Sequence, residues 1–202
     1  MIAIIDYGVG NLGSVEKAFQ YIGYKAEVTS DKNTVLGADA IVLPGVGAYA
    51  DAMRNLEKVG MIDVVKRAVA EDRPFLGICL GLQLLFDHSE EGDVKGLGLF
   101  KGKVKQFPLD MNLKVPHMGW NSLKTDKDCR LFYGLDETPY VYFVHSYYLD
   151  AEDNDIVAAR TEYGIEFHSA VNRGNVFATQ FHPEKSGETG LKILRNFVDI
   201  IK

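Results

Sequence analysis

The chain has 202 residues, 47% of them hydrophobic and 25% charged, the balance of one soluble globular domain able to bury a substantial core. No apolar run approaches the roughly 18 residues of a membrane span, and residues 1–6 lack the order of a signal peptide, so a cytoplasmic protein is expected. A formal net charge of -6 without clustered Lys and Arg argues against nucleic acid, and two cysteines outside any CxxC pair or Cys/His cluster provide neither a disulfide framework nor a metal site.

In chain order, the apolar run at 1–6 predicts a strand, and Leu12, Val15, Phe19 and Ile22 then recur at helical spacing. The alternation continues with strands expected at 25–29, 38–43 and 74–78 and an amphipathic helical stretch up to Glu71. Strands apolar on both faces suit a buried parallel sheet. The later segments 98–107, 140–144, 155–161, 165–171 and 176–181 are rich in β-branched and aromatic residues, with Asn172-Arg173-Gly174-Asn175 as a hairpin connection. A last helix is expected over 187–201, with Leu191, Leu194, Phe197, Val198 and Ile201 on one face and Ser186 as its N-cap. The sum is a single α/β domain: a mostly parallel sheet with helices on both faces and some antiparallel strands, binding ligands beyond the carboxyl ends of its strands.

Residues 74–83 run from an apolar strand into Gly77-x-Cys79-x-Gly81 and then a helical pattern, the cysteine form of a nucleophile elbow. Such a turn holds a strained residue at its apex, and the glycines on either side leave room for neighbouring elements. Cys79 is then expected to be exposed at a helix start, where free N–H groups favour a thiolate and the Leu80 amide can donate to an oxyanion. A lone cysteine is more often a small core residue, but the flanking glycines after a strand reverse that preference.

Of the five histidines, His182 has the most informative setting, closing the 176–181 strand before Pro183-Glu184. Pro183 fixes the backbone, so Glu184 can fold back, accept from one ring nitrogen and leave the other facing Cys79. Taken alone, His-Pro-Glu is equally an ordinary solvated turn; beside a nucleophile elbow it reads as a base with its orienting group. Pro44-Gly45-Val46-Gly47-Ala48 ends a strand near Cys79, which makes the Val46 or Gly47 N–H a candidate second oxyanion donor, although an ordinary turn explains these glycines as well. Gln83 lies one helical turn beyond Cys79 on the same face, placed to bond a substrate or to brace the turn. Cys129, His88 and His168 carry no ligand pattern and are expected to be bystanders.

Through Gly77-x-Cys79-x-Gly81-x-Gln83 and the later His182-Pro183-Glu184, the chain resembles the class I glutamine amidotransferases, which implies a flavodoxin-like fold and a Cys79–His182–Glu184 triad. The stretches Asp6-Tyr7-Gly8-Val9-Gly10-Asn11-Leu12, Leu43-Pro44-Gly45-Val46-Gly47-Ala48, Pro116-His117-Met118-Gly119-Trp120-Asn121 and Tyr142-Phe143-Val144-His145-Ser146-Tyr147 are similar to the glutaminase subunits of imidazole glycerol phosphate synthases. Together these segments span nearly the whole chain. The resemblance implies hydrolysis of glutamine to glutamate and ammonia without a cofactor, and a one-to-one complex with a separate cyclase subunit that receives the ammonia in histidine biosynthesis. It also implies substrate contacts from His145, Ser146 and Tyr147, and a partner face built from Asn11, Pro116, His117, Met118, Gly119, Trp120, Tyr142 and Lys185, which includes aromatic and Met types favoured at interfaces. Trp120 is the best single anchor there, and by residue type alone it is equally a core tryptophan. The glycines beside Val46 suggest a further hypothesis, that the partner controls when the oxyanion hole forms. Rival readings are a glutaminase subunit serving anthranilate, aminodeoxychorismate or pyridoxal phosphate synthesis, a γ-glutamyl hydrolase, or a catalytically silent module of the same fold. The 116–121 segment and the joint retention of Cys79, His182 and Glu184 separate these.

Overall fold

A computed structural model describes residues 1–108, 110 and 112–201. Its first half alternates strands and helices: β1 (Ile2–Ile5), α1 (Leu12–Tyr21), β2 (Ala26–Thr29), α2 (Lys32–Gly37), β3 (Ala40–Gly45), α3 (Tyr49–Lys58), α4 (Ile62–Ala70), β4 (Phe75–Cys79) and α5 (Leu80–Leu84). Strands dominate the second half: β5 (Phe86–Ser89), β6 (Val94–Lys95), β7 (Phe100–Gln106), β8 (His117–Ser122), β9 (Lys124–Thr125), β10 (Tyr140–His145), β11 (Tyr147–Ala151), β12 (Val157–Tyr163), β13 (Ile165–Arg173) and β14 (Val176–Thr179), before the closing helix α6 (Gly187–Ile201).

The main sheet has a parallel half in the order β2-β1-β3-β4-β14, continued by β13, β11 and β7 through antiparallel pairs. Parallel pairing is therefore confined largely to the half that carries Cys79. The strands there are apolar on both faces because the sheet separates two cores. Ala3, Ile5, Ile41, Leu43 and Phe75 pack with Tyr49 and Leu56 of α3 and Val65 of α4. Ile2, Ile4, Val42, Leu76 and Ile78 pack with Phe19 of α1 and with Ile193, Leu194 and Phe197 of α6. Each large aliphatic or aromatic side chain so buried contributes about 1.5–3 kcal/mol, which holds the parallel half as a rigid platform.

Three local details depart from the sequence reading. The amphipathic stretch before Glu71 is two helices, broken at Gly60, whose φ of 67° is one that glycine adopts without strain. The Ser186 carbonyl accepts from Gly190 at the start of α6, but its hydroxyl does not cap the helix: Ser186 Oγ accepts from Tyr142 N–H at 3.0 Å and donates to the His182 carbonyl at 2.6 Å. Segments 116–121 and 142–147 meet in a two-stranded antiparallel ribbon, β8 with β10, separate from the main sheet. Among the described residues, no helix is long and apolar enough to cross a membrane, and no group of three or more His, Cys, Asp or Glu gathers as a metal site.

Candidate active site

Cys79 ends the central strand β4, and α5 begins at the next residue. Its backbone has φ 54° and ψ -107°, a conformation that costs a side-chain-bearing residue of order 1–3 kcal/mol and persists only where the surroundings impose it. The glycines on either side explain how the turn fits. A Cβ on Gly81 would run into the Leu43 carbonyl, and one on Gly77 would lie 2.9 Å from the Gly81 oxygen. Strand, turn and β3 thus approach at backbone distance. The thiol is not exposed, as the elbow pattern alone suggested, but only 6% accessible.

His182 and Glu184 come together as the sequence predicts. Glu184 Oε1 lies 2.8 Å from His182 Nδ1, with side-chain exposures of 1% and 2%. A carboxylate only accepts, so Nδ1 carries the proton and Nε2 is left for another partner. Nε2 and the second Glu184 oxygen are buried without a hydrogen bond. Burial pushes the imidazole down, but contact with Cys79 and Glu184, and the charges of both, more than reverse this and raise it to about 10. Thiol and ring are therefore in contact and electrostatically coupled.

Cys79 also opens onto a cleft of about 320 Å³, at the small end of ligand pockets and suited to an amino acid. Val46 and Gly47 line it from the loop after β3, Leu80 and Gln83 from α5, His145, Ser146 and Tyr147 from the end of β10 onward, and Glu91 from the segment between β5 and β6. Neither the Val46 nor the Gly47 N–H has a backbone hydrogen bond among the described residues. Gly45, by contrast, serves close approach: a Cβ there would lie 2.5 Å from the Tyr7 hydroxyl and 2.9 Å from Leu80 Cβ. That leaves Gly47, with φ +97°, as the flexible neighbour of Val46. The buried Tyr7 hydroxyl donates to the Pro44 carbonyl at 2.9 Å and pins the loop.

Gln83 braces the site: its amide nitrogen donates to the Tyr147 carbonyl at 3.0 Å and to Gln180 Oε1 at 2.9 Å. Both hydrogens are thereby used, and its carbonyl oxygen is the atom free for a ligand. The His145 ring is not free, since Nδ1 donates to the same Tyr147 carbonyl and Nε2 pairs with His117, both at 2.8 Å. Two residues of the site escaped the sequence reading. Glu91, which accepts from the Tyr49 N–H at 3.2 Å, and Gln180, whose amide nitrogen lies 3.7 Å from Cys79 Sγ, have no motif to mark them. Cys129 is buried, and burial pushes its thiol up to about 11, as befits an inert residue. His88 pairs with Asp93, and His168 accepts from the Ala151 N–H.

Of the residues assigned to a partner face, Met118 and Trp120 are 66% and 57% exposed, which removes the core reading of Trp120. Asn11, Pro116 and Lys185 are exposed, Gly119 and Tyr142 half-buried, and Tyr142 pairs with Trp120 across the ribbon with ring centroids 6.3 Å apart. His117 is a correction: strand alternation turns it inward, buried and stacked against Tyr163 at 4.0 Å, so its ring belongs to the interior side of the ribbon.

The family described as glutamine amidotransferase class-I matches residues 3–201. The imidazole glycerol phosphate synthase subunit HisH of Caldanaerobacter subterraneus is 54% identical over 203 residues, covering 100% of this chain and 99% of that protein. The subunit of the same name from Syntrophotalea carbinolica is 54% identical over 206 residues, covering 99% and 100%. Among solved structures, PurLQS from Thermotoga maritima superposes with a TM-score of 0.78 at 20% identity, covering 100% of this chain and 98% of that one, a likeness of fold.

Proposed function

The chain belongs to the class I glutamine amidotransferase family, and from that premise we propose how it works: as the glutaminase subunit of an imidazole glycerol phosphate synthase, it uses Cys79, His182 and Glu184 to release ammonia from glutamine for a separate cyclase subunit. The observation that carries this reading is the strained thiol at the tip of β4 beside a buried imidazole whose outward nitrogen is unpartnered and whose inward one is held by Glu184. The Cys79 thiolate attacks the side-chain carboxamide carbon, forming the C–S bond while the carbonyl electrons move to oxygen. His182 gives its proton to the departing nitrogen, the C–N bond breaks, and ammonia leaves a thioester. His182 then takes a proton from water, the hydroxide adds to the thioester, and the C–S electrons return to Cys79 as glutamate departs.

The raised pKa of His182 fits both halves of the cycle. Before acylation the thiolate and Glu184 stabilise the imidazolium, the proton donor that ammonia release needs. Acylation converts the thiolate to a neutral thioester sulfur. Cys79, the larger of the two raising influences, then ceases to act, and the ring becomes a base able to activate water.

Leu80 N–H and an N–H from Val46 or Gly47 are the proposed oxyanion donors, all lining the cleft with Cys79. Gln83 Oε1 and the Glu91 carboxylate supply acceptors for the substrate's α-ammonium, while Ser146 and Tyr147 line the same cleft. The cyclase docks in a heterodimer on the face carrying Asn11, Pro116, Met118, Trp120 and Lys185, and shields the released ammonia from water. Its docking also sets the Val46–Gly47 peptide for catalysis. The test is reconstitution: ammonia production is measured with the cyclase and its ribotide substrate, for the native chain and for Cys79→Ala. Undiminished glutaminase in the variant overturns the mechanism, and equal activity of the native chain with and without its liganded partner overturns the gating.

A further inference from the structure

Gln180 lies outside every motif that marks the site, yet it is fully buried with its amide nitrogen 3.7 Å from Cys79 Sγ. A backbone carbonyl dictates its orientation. The Tyr147 oxygen only accepts, so Gln83 must offer it the amide nitrogen, and the second hydrogen of that nitrogen goes to Gln180 Oε1. Gln180 is thereby obliged to turn its own NH2 toward the thiol. The same carbonyl orders a second arm, in which His145 Nδ1 donates to it, His145 Nε2 accepts from His117 Nδ1, and His117 Nε2 accepts from Asn121 at 3.3 Å. Burial pushes the two imidazoles down to about 3 and about 4, so both are neutral near pH 7 and this single donor pattern holds.

We propose that Gln180 is a positioning residue for the nucleophile: its amide donates to the Cys79 thiolate, aims the sulfur toward the cleft, and receives it again as the leaving group of deacylation. The inference deepens the glutaminase reading and rests on it. During acylation the sulfur lone pair becomes the C–S bond and the N–H loses an anionic acceptor. During thioester hydrolysis those electrons return to sulfur, and the donor meets the growing charge. No co-reactant beyond glutamine and water takes part. The titratable groups acting around the thiol are His182, with Glu184 on its far nitrogen, and the Tyr7 phenol, which burial and the charge of Cys79 hold above its ordinary value.

The experiment follows alkylation of Cys79 by iodoacetamide against pH in the full chain, with mass spectrometry separating Cys79 from Cys129. Gln180→Met keeps the length of the side chain and removes the donor. A hydrogen bond to an ion of ordinary strength corresponds to an upward shift of the alkylation midpoint by about one pH unit. A packing role alone lowers thermal stability or the plateau rate and leaves the midpoint in place, so a midpoint within about 0.3 unit of the native value overturns the proposal. If Gln180→Met fails to fold, Gln83→Met decides: it releases Gln180 from its fixed orientation, and its midpoint must move in the same direction. Loss of glutaminase in Cys79→Ala with unmoved midpoints defeats this inference alone, whereas glutaminase surviving in Cys79→Ala defeats the reading beneath it.

Discussion

Replacing Glu184 by Gln removes one charge from the site while keeping its shape. In the native chain Glu184 Oε1 lies 2.8 Å from His182 Nδ1, and both side chains are almost wholly buried. A hydrogen bond to a charged group contributes about 1.5–3 kcal/mol, and 1.36 kcal/mol corresponds to one pKa unit, so His182 should fall from about 10 by roughly one to two units. The amide also has an NH2 end. Turned toward Nδ1, it favours the tautomer with the proton on Nε2, which leaves no base facing Cys79. Both steps of the proposed cycle pass through the imidazolium, so kcat should drop by about 10²–10⁴-fold, whereas KM should stay within a few-fold because neither residue lines the cleft. Ammonia release by the complex with liganded cyclase measures both constants. A variant kcat within about threefold of native, or a loss carried entirely by KM, refutes the assignment of Glu184 as the orienting charge. Stability supplies an independent check. A histidine raised from 6.5 to about 10 by folding contributes stability that is fully present below about pH 6.5 and is lost as pH rises through about 10. The gap in melting temperature between native chain and variant should therefore narrow from pH 6.5 toward 10, and a gap that widens contradicts the sign.

Gly81→Ala should cost about 1–3 kcal/mol or more in thermal unfolding, because its Cβ meets the Leu43 carbonyl, whereas Gly13→Ala inside α1, with open space around its Cα, should gain about 0.5–1 kcal/mol; equal effects at the two positions contradict the close-approach argument. Trp120→Ala should leave the isolated chain's melting temperature almost unchanged and weaken cyclase binding by about 2 kcal/mol, roughly thirtyfold, in calorimetric titration. Glu91→Gln retains an acceptor for the Tyr49 N–H but removes the charge, so KM for glutamine should rise about tenfold or more at unchanged melting temperature; an unaltered KM excludes Glu91 from substrate binding.

What the sequence made legible is what periodicity and local motif encode. The strand–helix alternation of the first half stands out because β1, β3 and β4 are buried on both faces, leaving uninterrupted apolar runs. The elbow and His-Pro-Glu are each contained in a few residues, so their partners were visible before any contact was known. β8, with the sequence HMGWNS, has no β-branched residue and one central glycine, and its strand character comes from pairing with β10. Gln180 and Glu91 escaped for a related reason: a single Gln or Glu acquires meaning only from residues about 100 and 40 positions away, and no spacing rule reaches that far.

The β8–β10 ribbon joins the proposed docking face to the proposed catalytic base. The outer face of β8 carries Met118 and Trp120, and its inner face carries His117, which leads through His145 to the Tyr147 carbonyl beneath the cleft. On the other strand, the Tyr142 carbonyl accepts from the His182 N–H at 3.0 Å, while the Tyr142 N–H donates to the Ser186 hydroxyl. Tyr142 thus touches Trp120 through its ring and the base through its backbone. β8 and β10 share no ladder with the main sheet, and the ribbon is anchored by these polar links, by the aromatic packing around His117 and by Val141 and Phe143, which are buried in the same core as Ile78. Under the proposed docking, a partner seated on Trp120 therefore reaches the His182 backbone through Tyr142.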